Sequence, residues 1–105
     1  MISGGTETIE ETVEETYTDT QTRYVPMWKV LLHNDEVTTM EFVIRVLVRF
    51  FGHTPQASYR IMMTIHQKGI GLAGVYPMEL AELKQEQVIS AARPHYPLKV
   101  TIEPA

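Results

Sequence analysis

The sequence predicts an α+β domain in which three helices pack on a three-stranded antiparallel sheet, in the order β-α-α-β-α-β. A chain of 105 residues without cysteine is long enough for one modest core that needs no disulfides. Apolar residues recur with a helical period in three segments, and three shorter segments have the composition of strands. Because these segments lack the regular alternation of parallel βαβ units, we expect the helices on one face of a small sheet.

The first 24 residues differ in composition from the rest of the chain. Residues 1–24 are rich in threonine and glutamate and carry six acidic side chains against one arginine, whereas residues 25–105 carry seven acidic and eight basic ones. The few large apolar side chains of the first segment cannot offset the entropy lost on ordering. We therefore predict a disordered acidic extension over residues 1–24 and one folded domain over residues 25–105.

The folded domain is predicted to begin with a strand and a helix. Residues 27–33 form the strand, since most of them are apolar. Residues 39–51 form the helix, because their apolar side chains recur at the spacing of one buried helical face. These side chains are Phe42, Val43, Val46, Leu47 and Phe50. Gly52 follows as a stop signal, since glycine readily takes the left-handed conformation that ends helices.

Two more helices and two more strands follow. A second helix spans about residues 54–69, where a Thr-Pro pair supplies the N-cap and the first helical position and a glycine ends it. Residues 71–76 form a short strand that glycine weakens. Prolines bound a third helix over residues 77–94. Clean alternation of apolar and polar residues over 97–102 predicts the last strand.

Composition and charge exclude several classes of function. No apolar run approaches the roughly 18 residues of a membrane span, and the chain starts with neither the basic segment nor the apolar core of a secretion signal. The absence of cysteine excludes disulfides, thiolate metal sites and thiol catalysis. The nearly neutral folded part does not suit nucleic acid, which binds to a concentrated basic face. These observations favour a cytoplasmic location.

The polar turn between the first strand and the first helix has more hydrogen-bonding groups than a chain reversal requires. Asn34, Asp35 and Glu36 lie in it, at a junction where side chains can converge on a ligand. Thr38 and Glu41 have the spacing of a capping box at the start of the helix. The alternative is that Asn34 and Asp35 only form the turn and that Glu36 is solvated.

Four histidines offer further candidates for chemistry. Their spacing matches no HExxH or paired-histidine zinc pattern, and sulfur ligands are absent. A metal site built from His33, Asp35, Glu36 and His66 remains an alternative. For His66 the other alternative is a boundary position with a hydrogen bond to a nearby carbonyl.

A series of short motifs runs in order through residues 25–105. They are Trp28-Lys29-Val30-Leu31-Leu32-His33-Asn34-Asp35-Glu36 with Thr38, Met40-Glu41-Phe42-Val43, Ile61-Met62 with His66-Gln67-x-Gly69, Gly74-Val75-Tyr76 with Glu79-x-Ala81-Glu82, and Pro97-Leu98. Together they resemble the ClpS family, the adaptors of the bacterial N-end rule. Several matches in register across a whole domain are more specific than any single motif.

The resemblance implies a binding protein and not an enzyme, with no catalytic residue, cofactor or metal. ClpS adaptors recognise proteins whose first residue is Leu, Phe, Tyr or Trp. They deliver these proteins to a Clp-family AAA+ unfoldase of the ClpA or ClpC type for degradation by ClpP, and so modulate the unfoldase's choice of substrates. We expect a monomer whose partners are that unfoldase and its N-degron substrates, and neither nucleic acid nor a membrane.

The resemblance also implies roles for individual residues. The substrate's α-amino group and first peptide unit would be held by Asn34, Asp35, Glu36, Thr38 and His66. The pocket for the first side chain would be lined by Met40, Val43, Met62, Ile65 and Leu98. The unfoldase would be contacted by Glu79 and Lys84. The sequence departs from the family pattern at Glu36, where a second Asp is usual, and at Val37-Thr38-Thr39, where an aromatic residue before Thr-Pro is common.

The residue types suit such a ligand. A free α-amine is a cation with several donors, so it needs acceptors such as an amide oxygen, carboxylates and a neutral imidazole nitrogen. A buried apolar slot beside them favours Leu or an aromatic ring by roughly 1.5–3 kcal/mol. Two alternatives stay open: a module that docks on the unfoldase without reading N-termini, and a small metal-dependent hydrolase built on the turn at residues 33–36.

Overall fold

The computed structural model describes residues 15–18 and 21–105. Its elements are β1 (Glu15–Thr18), β2 (Gln21–Tyr24), β3 (Met27–His33), α1 (Met40–Phe51), α2 (Pro55–Lys68), β4 (Ile70–Pro77), α3 (Met78–Ala92) and β5 (Lys99–Pro104). From β3 onward the order is the predicted β-α-α-β-α-β. None of the helices in the described residues has the combined length and apolar character that crossing a membrane requires.

The main sheet has the strand order β4-β3-β5, and both pairings are antiparallel. The predicted class, three helices on a three-stranded antiparallel sheet, is confirmed. Strand β3 is central because it holds the apolar run, and its Leu32 lies opposite Gly71 on one side and Val100 on the other. The ladder shifts register between Val30 and Leu31.

The core lies between the sheet and the helices. The largest fully buried apolar side chains come from β3, α1, α3 and the segment before β5; they are Leu32, Leu47, Leu98, Val30, Val46 and Val88. Val30 and Leu32 point to the same side of β3 because strand side chains alternate between faces. The apolar stripe predicted for α1 meets them there, with Phe42, Val43, Val46 and Leu47 all buried.

Two short strands precede the main domain. Strands β1 and β2 pair antiparallel as a hairpin, with Glu15 opposite Tyr24 and Thr18 opposite Gln21. Threonine and tyrosine are residues that favour strands, which gives this stretch a local preference that the count of apolar side chains overlooks. The disordered extension over residues 1–24 stays a prediction, and residues 1–14 and 19–20 of it lie outside the described residues.

Candidate functional site

A pocket of about 580 Å³ opens where the turn after β3, the start of α1 and the end of α2 meet. Its wall contains Asn34, Asp35, Glu36, Val37, Thr38, Thr39, Met40, Glu41, Val43, Met62, Ile65 and His66. Nine of the ten residues predicted to bind a substrate terminus are in this wall. The turn and the end of α2, which are far apart in sequence, therefore form one cavity.

The floor of the pocket is apolar. Val43 on α1 and Met62 and Ile65 on α2 are buried core residues that also line the cavity. Gly71 on β4 helps to set this floor, because a Cβ at that position would lie 2.5 Å from Cγ1 of Ile65. A larger residue at position 71 would displace the Ile65 side chain. The floor is thus a continuation of the core, shaped by close packing of α2 on β4.

Asp35 organises the turn that forms the polar rim. Its Oδ1 accepts hydrogen bonds from the backbone N–H groups of Val37 at 2.8 Å and Thr38 at 2.6 Å, and its Oδ2 accepts one from the Thr38 hydroxyl at 2.7 Å. Partial burial raises the pKa of Asp35, and the donors of Thr38 and Val37 lower it by more, so the net shift is downward. The carboxylate is therefore ionised and fixed in place at neutral pH.

A backbone contact joins the turn to the end of α2. The N–H of Asn34 donates to the carbonyl of Gly69 at 2.9 Å. Gly69 adopts φ 89°, the left-handed conformation of a helix C-cap, and its own N–H donates to the Ile65 carbonyl. This linkage brings His66, in the last turn of α2, to the same rim as Asn34.

The start of α1 differs from the predicted capping box. The N-cap is Thr39, whose hydroxyl accepts from the Phe42 N–H at 3.1 Å, and α1 begins at Met40. Thr38 is not the cap because its hydroxyl and its N–H are both bound to Asp35. The two threonines therefore differ in role, since Thr38 closes the turn and Thr39 starts the helix. Spacing alone did not distinguish them, because both precede the same apolar stripe.

Three further acceptors remain free on the rim. Asn34, Glu36 and His66 are exposed, and their side chains make no hydrogen bond to the rest of the described chain. Glu41 adds another carboxylate, and the wall contains no lysine or arginine among the residues that the structure describes. The rim therefore offers unpaired acceptors and negative charge directly above an apolar floor. That combination suits a cation attached to an apolar group.

Two of the residues considered above lie elsewhere. Leu98, predicted to line the pocket, is only 1% exposed and belongs to the core, outside the cavity wall. His33 is hydrogen-bonded to the Thr101 hydroxyl at 2.7 Å across the β3–β5 pair. Burial, followed by the positive charge of Lys99, lowers the pKa of His33. Among the described residues, no three or more His, Asp or Glu side chains are arranged so that they could hold a metal ion, so the alternative set around His33 is not assembled.

Three residues of the wall are absent from the predicted set: Val37, Thr39 and Glu41. The sequence did contain a signal for them, because residues 34–41 form one continuous turn and helix start. A turn that wraps around a cavity exposes consecutive side chains to it. Val37 is the most exposed large apolar side chain of the wall.

The residues predicted to contact a partner lie on α3. Glu79 is exposed in the first turn of that helix. Lys84 is half-buried, and its Nζ donates to the Phe50 carbonyl in the last turn of α1 at 2.7 Å. The same ammonium lies 5.8 Å from the centre of the Tyr76 ring. Lys84 therefore also holds α3 against α1 and the end of β4.

Comparison with known proteins identifies the family. A family model described as ATP-dependent Clp protease adaptor protein ClpS matches residues 23–101. The chain belongs to the ClpS family. It is an adaptor of the ATP-dependent Clp protease, and the match spans every element of the main sheet and its helices except the end of β5.

Relatives in the ClpS family cover most of the chain. The ClpS adapter of Roseobacter denitrificans is 44% identical over 104 residues, which are 98% of this chain and 92% of that protein. The ClpS adapter of Desulfatibacillum aliphaticivorans is 52% identical over 79 residues, 74% of this chain and 76% of that protein. A solved structure, Agrobacterium tumefaciens ClpS2 bound to L-phenylalaninamide, gives a TM-score of 0.73 at 33% identity, covering 76% of this chain and 98% of that one.

Proposed function

We propose that the pocket binds the first residue of substrate proteins, and that the adaptor delivers those proteins to a ClpA- or ClpC-type unfoldase. The substrates begin with Leu, Phe, Tyr or Trp. The observation that carries the proposal is the pairing of free acceptors on the rim with a buried apolar floor in one cavity. The solved relative bound to L-phenylalaninamide, an amino acid with a free amine and an apolar side chain, supports the same ligand chemistry.

In this proposal the rim binds the α-amino group and the first peptide unit. Asn34, Glu36 and His66 supply acceptors that no other described group occupies. Asp35 has three of the roughly four acceptor positions of a carboxylate engaged within its own turn. Its main role is therefore to hold the turn in shape and to add negative charge. Glu36, longer than aspartate by one methylene, reaches further toward the amine.

The apolar floor selects the first side chain. Val43, Met62 and Ile65 form a surface from which water is excluded once a Leu or aromatic side chain covers it. Covering such a side chain completely contributes about 1.5–3 kcal/mol. An internal residue of a protein lacks the amine, and the chain that precedes it would collide with the rim. The site therefore distinguishes the beginning of a protein from its interior.

Met40 is expected to exclude β-branched first residues. It lies at the start of α1 in the pocket wall and is 41% exposed. Its thioether fills space beside the first side chain's β-carbon, which bears one heavy substituent in Leu and two in Ile and Val. Native protein should therefore bind Leu-initiated peptides and reject Ile- and Val-initiated ones, whereas Met40→Ala should admit them. The variant's loss of stability should fall at the low end of roughly 2–5 kcal/mol, because Met40 is only partly buried.

Fluorescence-anisotropy titrations of the three peptides against both proteins check this role of Met40. Met78→Ala is a matched control, since Met78 is 44% exposed and lies on α3 outside the pocket wall. If native protein binds Ile-initiated peptide as well as Leu-initiated peptide, or if Met40→Ala gains nothing, Met40 does not select the ligand.

We propose that Glu79 and Lys84 contribute to the surface that contacts the unfoldase. The double variant Glu79→Ala, Lys84→Ala should weaken unfoldase binding by about tenfold, corresponding to ~1.4 kcal/mol. Its affinity for a Leu-initiated peptide should not change, because neither residue lines the pocket. Titrations of the variant with the unfoldase and with a Leu-initiated peptide, both followed by anisotropy, measure the two affinities separately.

Single variants distinguish a direct contact from the internal role of Lys84. Glu79→Gln removes a charge on an exposed side chain in the first turn of α3 and should lower the melting temperature only slightly. Lys84→Met removes the hydrogen bond to the Phe50 carbonyl and should lower the melting temperature. If Glu79→Gln binds the unfoldase as native protein does, Glu79 is outside the contact surface.

A further inference from the structure

Met40 differs from the other pocket residues in combining accessibility with a group that oxidants attack. The chain has six methionines and no cysteine, so thioethers are its only sulfur. Met40 is 41% exposed at the pocket wall, while Met62 in the floor is 3% exposed. An oxidant in solution therefore reaches Met40 more readily than Met62. Met40, at the edge of the apolar surface, is thus the residue of the pocket that is most open to oxidation.

We propose that Met40 is a modification site at which hydroperoxides switch off ligand binding. The proposal rests on the proposed function, since it regulates the same pocket. The thioether sulfur attacks one oxygen of the peroxide and forms an S–O bond while the O–O bond breaks. The sulfur loses two electrons and the peroxide is reduced, while the departing oxygen takes up the proton that the attacked oxygen carried and leaves as water or an alcohol. The product is methionine sulfoxide.

The change matters because of where the new oxygen lies. A sulfoxide is polar and accepts hydrogen bonds, whereas the thioether that it replaces is apolar. When a Leu or aromatic side chain covers the pocket, the sulfoxide oxygen loses water. The neighbours of Met40 in the wall are Thr39 and Glu41. The Thr39 hydroxyl already donates its proton to the Tyr96 hydroxyl at 3.5 Å, and Glu41 is negatively charged and repels the oxygen's partial negative charge.

Met78 provides an internal comparison for the reaction. It is 44% exposed, close to the value for Met40, and lies in the first turn of α3 outside the pocket wall. Both residues should be oxidised at similar rates in the free protein. Only the sulfoxide at position 40 should affect peptide binding. A saturating Leu-initiated peptide should slow oxidation of Met40 and leave that of Met78 unchanged, because the ligand covers only the first.

The experiment treats the full chain with hydrogen peroxide and follows both sulfoxides by peptide mass spectrometry and peptide affinity by anisotropy. We expect affinity for a Leu-initiated peptide to fall by about tenfold in step with the Met40 sulfoxide, since an unpaired polar group becomes buried on binding. Methionine sulfoxide reductases should restore the affinity. Circular dichroism checks that the oxidised protein stays folded.

Two variants make the outcome decisive. The affinity of Met40→Leu for the Leu-initiated peptide should be the same before and after treatment with peroxide. Met78→Leu should lose affinity on treatment as native protein does. The proposal is wrong if Met40 sulfoxide forms without loss of affinity, or if Met40→Leu loses as much as native protein. A chain that binds no Leu-initiated peptide even before treatment would instead contradict the proposed function, so the two failures are distinguishable.

Discussion

Replacing His66 with alanine is expected to weaken binding of a Leu-initiated peptide by more than tenfold without unfolding the domain. His66 is exposed at the rim, and its side chain makes no hydrogen bond to the rest of the described chain, so the fold does not depend on its ring. A hydrogen bond to a charged group contributes about 1.5–3 kcal/mol, which corresponds to a loss of roughly tenfold or more. Anisotropy titration measures the affinity and thermal melting measures the stability.

His95→Ala is the matched control for the histidine substitution. His95 is also exposed but follows α3 and does not line the pocket, so its removal should change peptide affinity less than twofold. Acetylating the peptide's amine should reduce binding to native protein at least as much as His66→Ala does, because acetylation removes the charge itself. Equal affinity of folded His66→Ala and native protein would exclude His66 as an amine ligand.

Replacing Asp35 with alanine is expected to reduce peptide affinity at least as strongly, for a different reason. The substitution removes three hydrogen bonds that shape the turn, two from backbone N–H groups and one from the Thr38 hydroxyl. Asn34 and Glu36 lie in this turn and would lose their fixed positions at the rim. Thr38→Val removes only one of the three bonds and should cost about two- to tenfold in affinity.

A desamino peptide, which lacks the α-amine, distinguishes an effect on the shape of the rim from the loss of a direct contact with the amine. Asp35→Ala should weaken binding of a Leu-initiated peptide and of its desamino analogue by similar factors, because a disordered rim affects both ligands. His66→Ala should weaken only the peptide that has the amine. If Asp35→Ala leaves the desamino analogue's affinity unchanged, Asp35 acts as a direct ligand of the amine and not through the turn.

The lowered pKa of Asp35 predicts a pH dependence of stability. A carboxyl whose pKa is lower in the folded than in the unfolded chain stabilises the fold above the unfolded pKa, and this contribution is lost as pH falls through the folded pKa. The difference in free energy of unfolding between native protein and Asp35→Asn should therefore be constant near neutral pH. It should shrink as pH falls below the ordinary value of 3.8. Urea denaturation across that range measures it.

Much of the fold could be predicted because local signals and the apolar pattern agree. The Thr-Pro pair at the start of α2 and the glycines that end α1 and α2 act in the structure as the sequence indicates, with Gly52 and Gly69 both in the left-handed conformation. Other features depend on which strands pair with each other, and this cannot be predicted from amino-acid composition. One example is the antiparallel pairing of β1 with β2 in the acidic segment, which depends on strand partners and not on the number of apolar residues.

The candidate site was predictable to the extent that its residues are consecutive or resemble a known pattern. The turn at residues 34–36 and the end of α2 were identified from motifs, and the structure brings them together through the bond from Asn34 to Gly69. The position of Leu98 was not predictable in this way, because whether a buried side chain faces a cavity or the core depends on packing in three dimensions. Leu98 belongs to the same core cluster as Val43 and Met62, but unlike them it is not part of the cavity wall.

The decisive measurement is the affinity of the full chain for peptides that differ only in their first residue. Peptides that begin with Leu, Phe, Tyr or Trp should bind tightly. The same peptides should bind at least tenfold more weakly when acetylated or when they begin with Ala, Glu or Lys, because each change removes the amine charge or the apolar side chain. Equal binding of all peptides, or of none, would contradict the claim that this pocket reads the first residue of a protein.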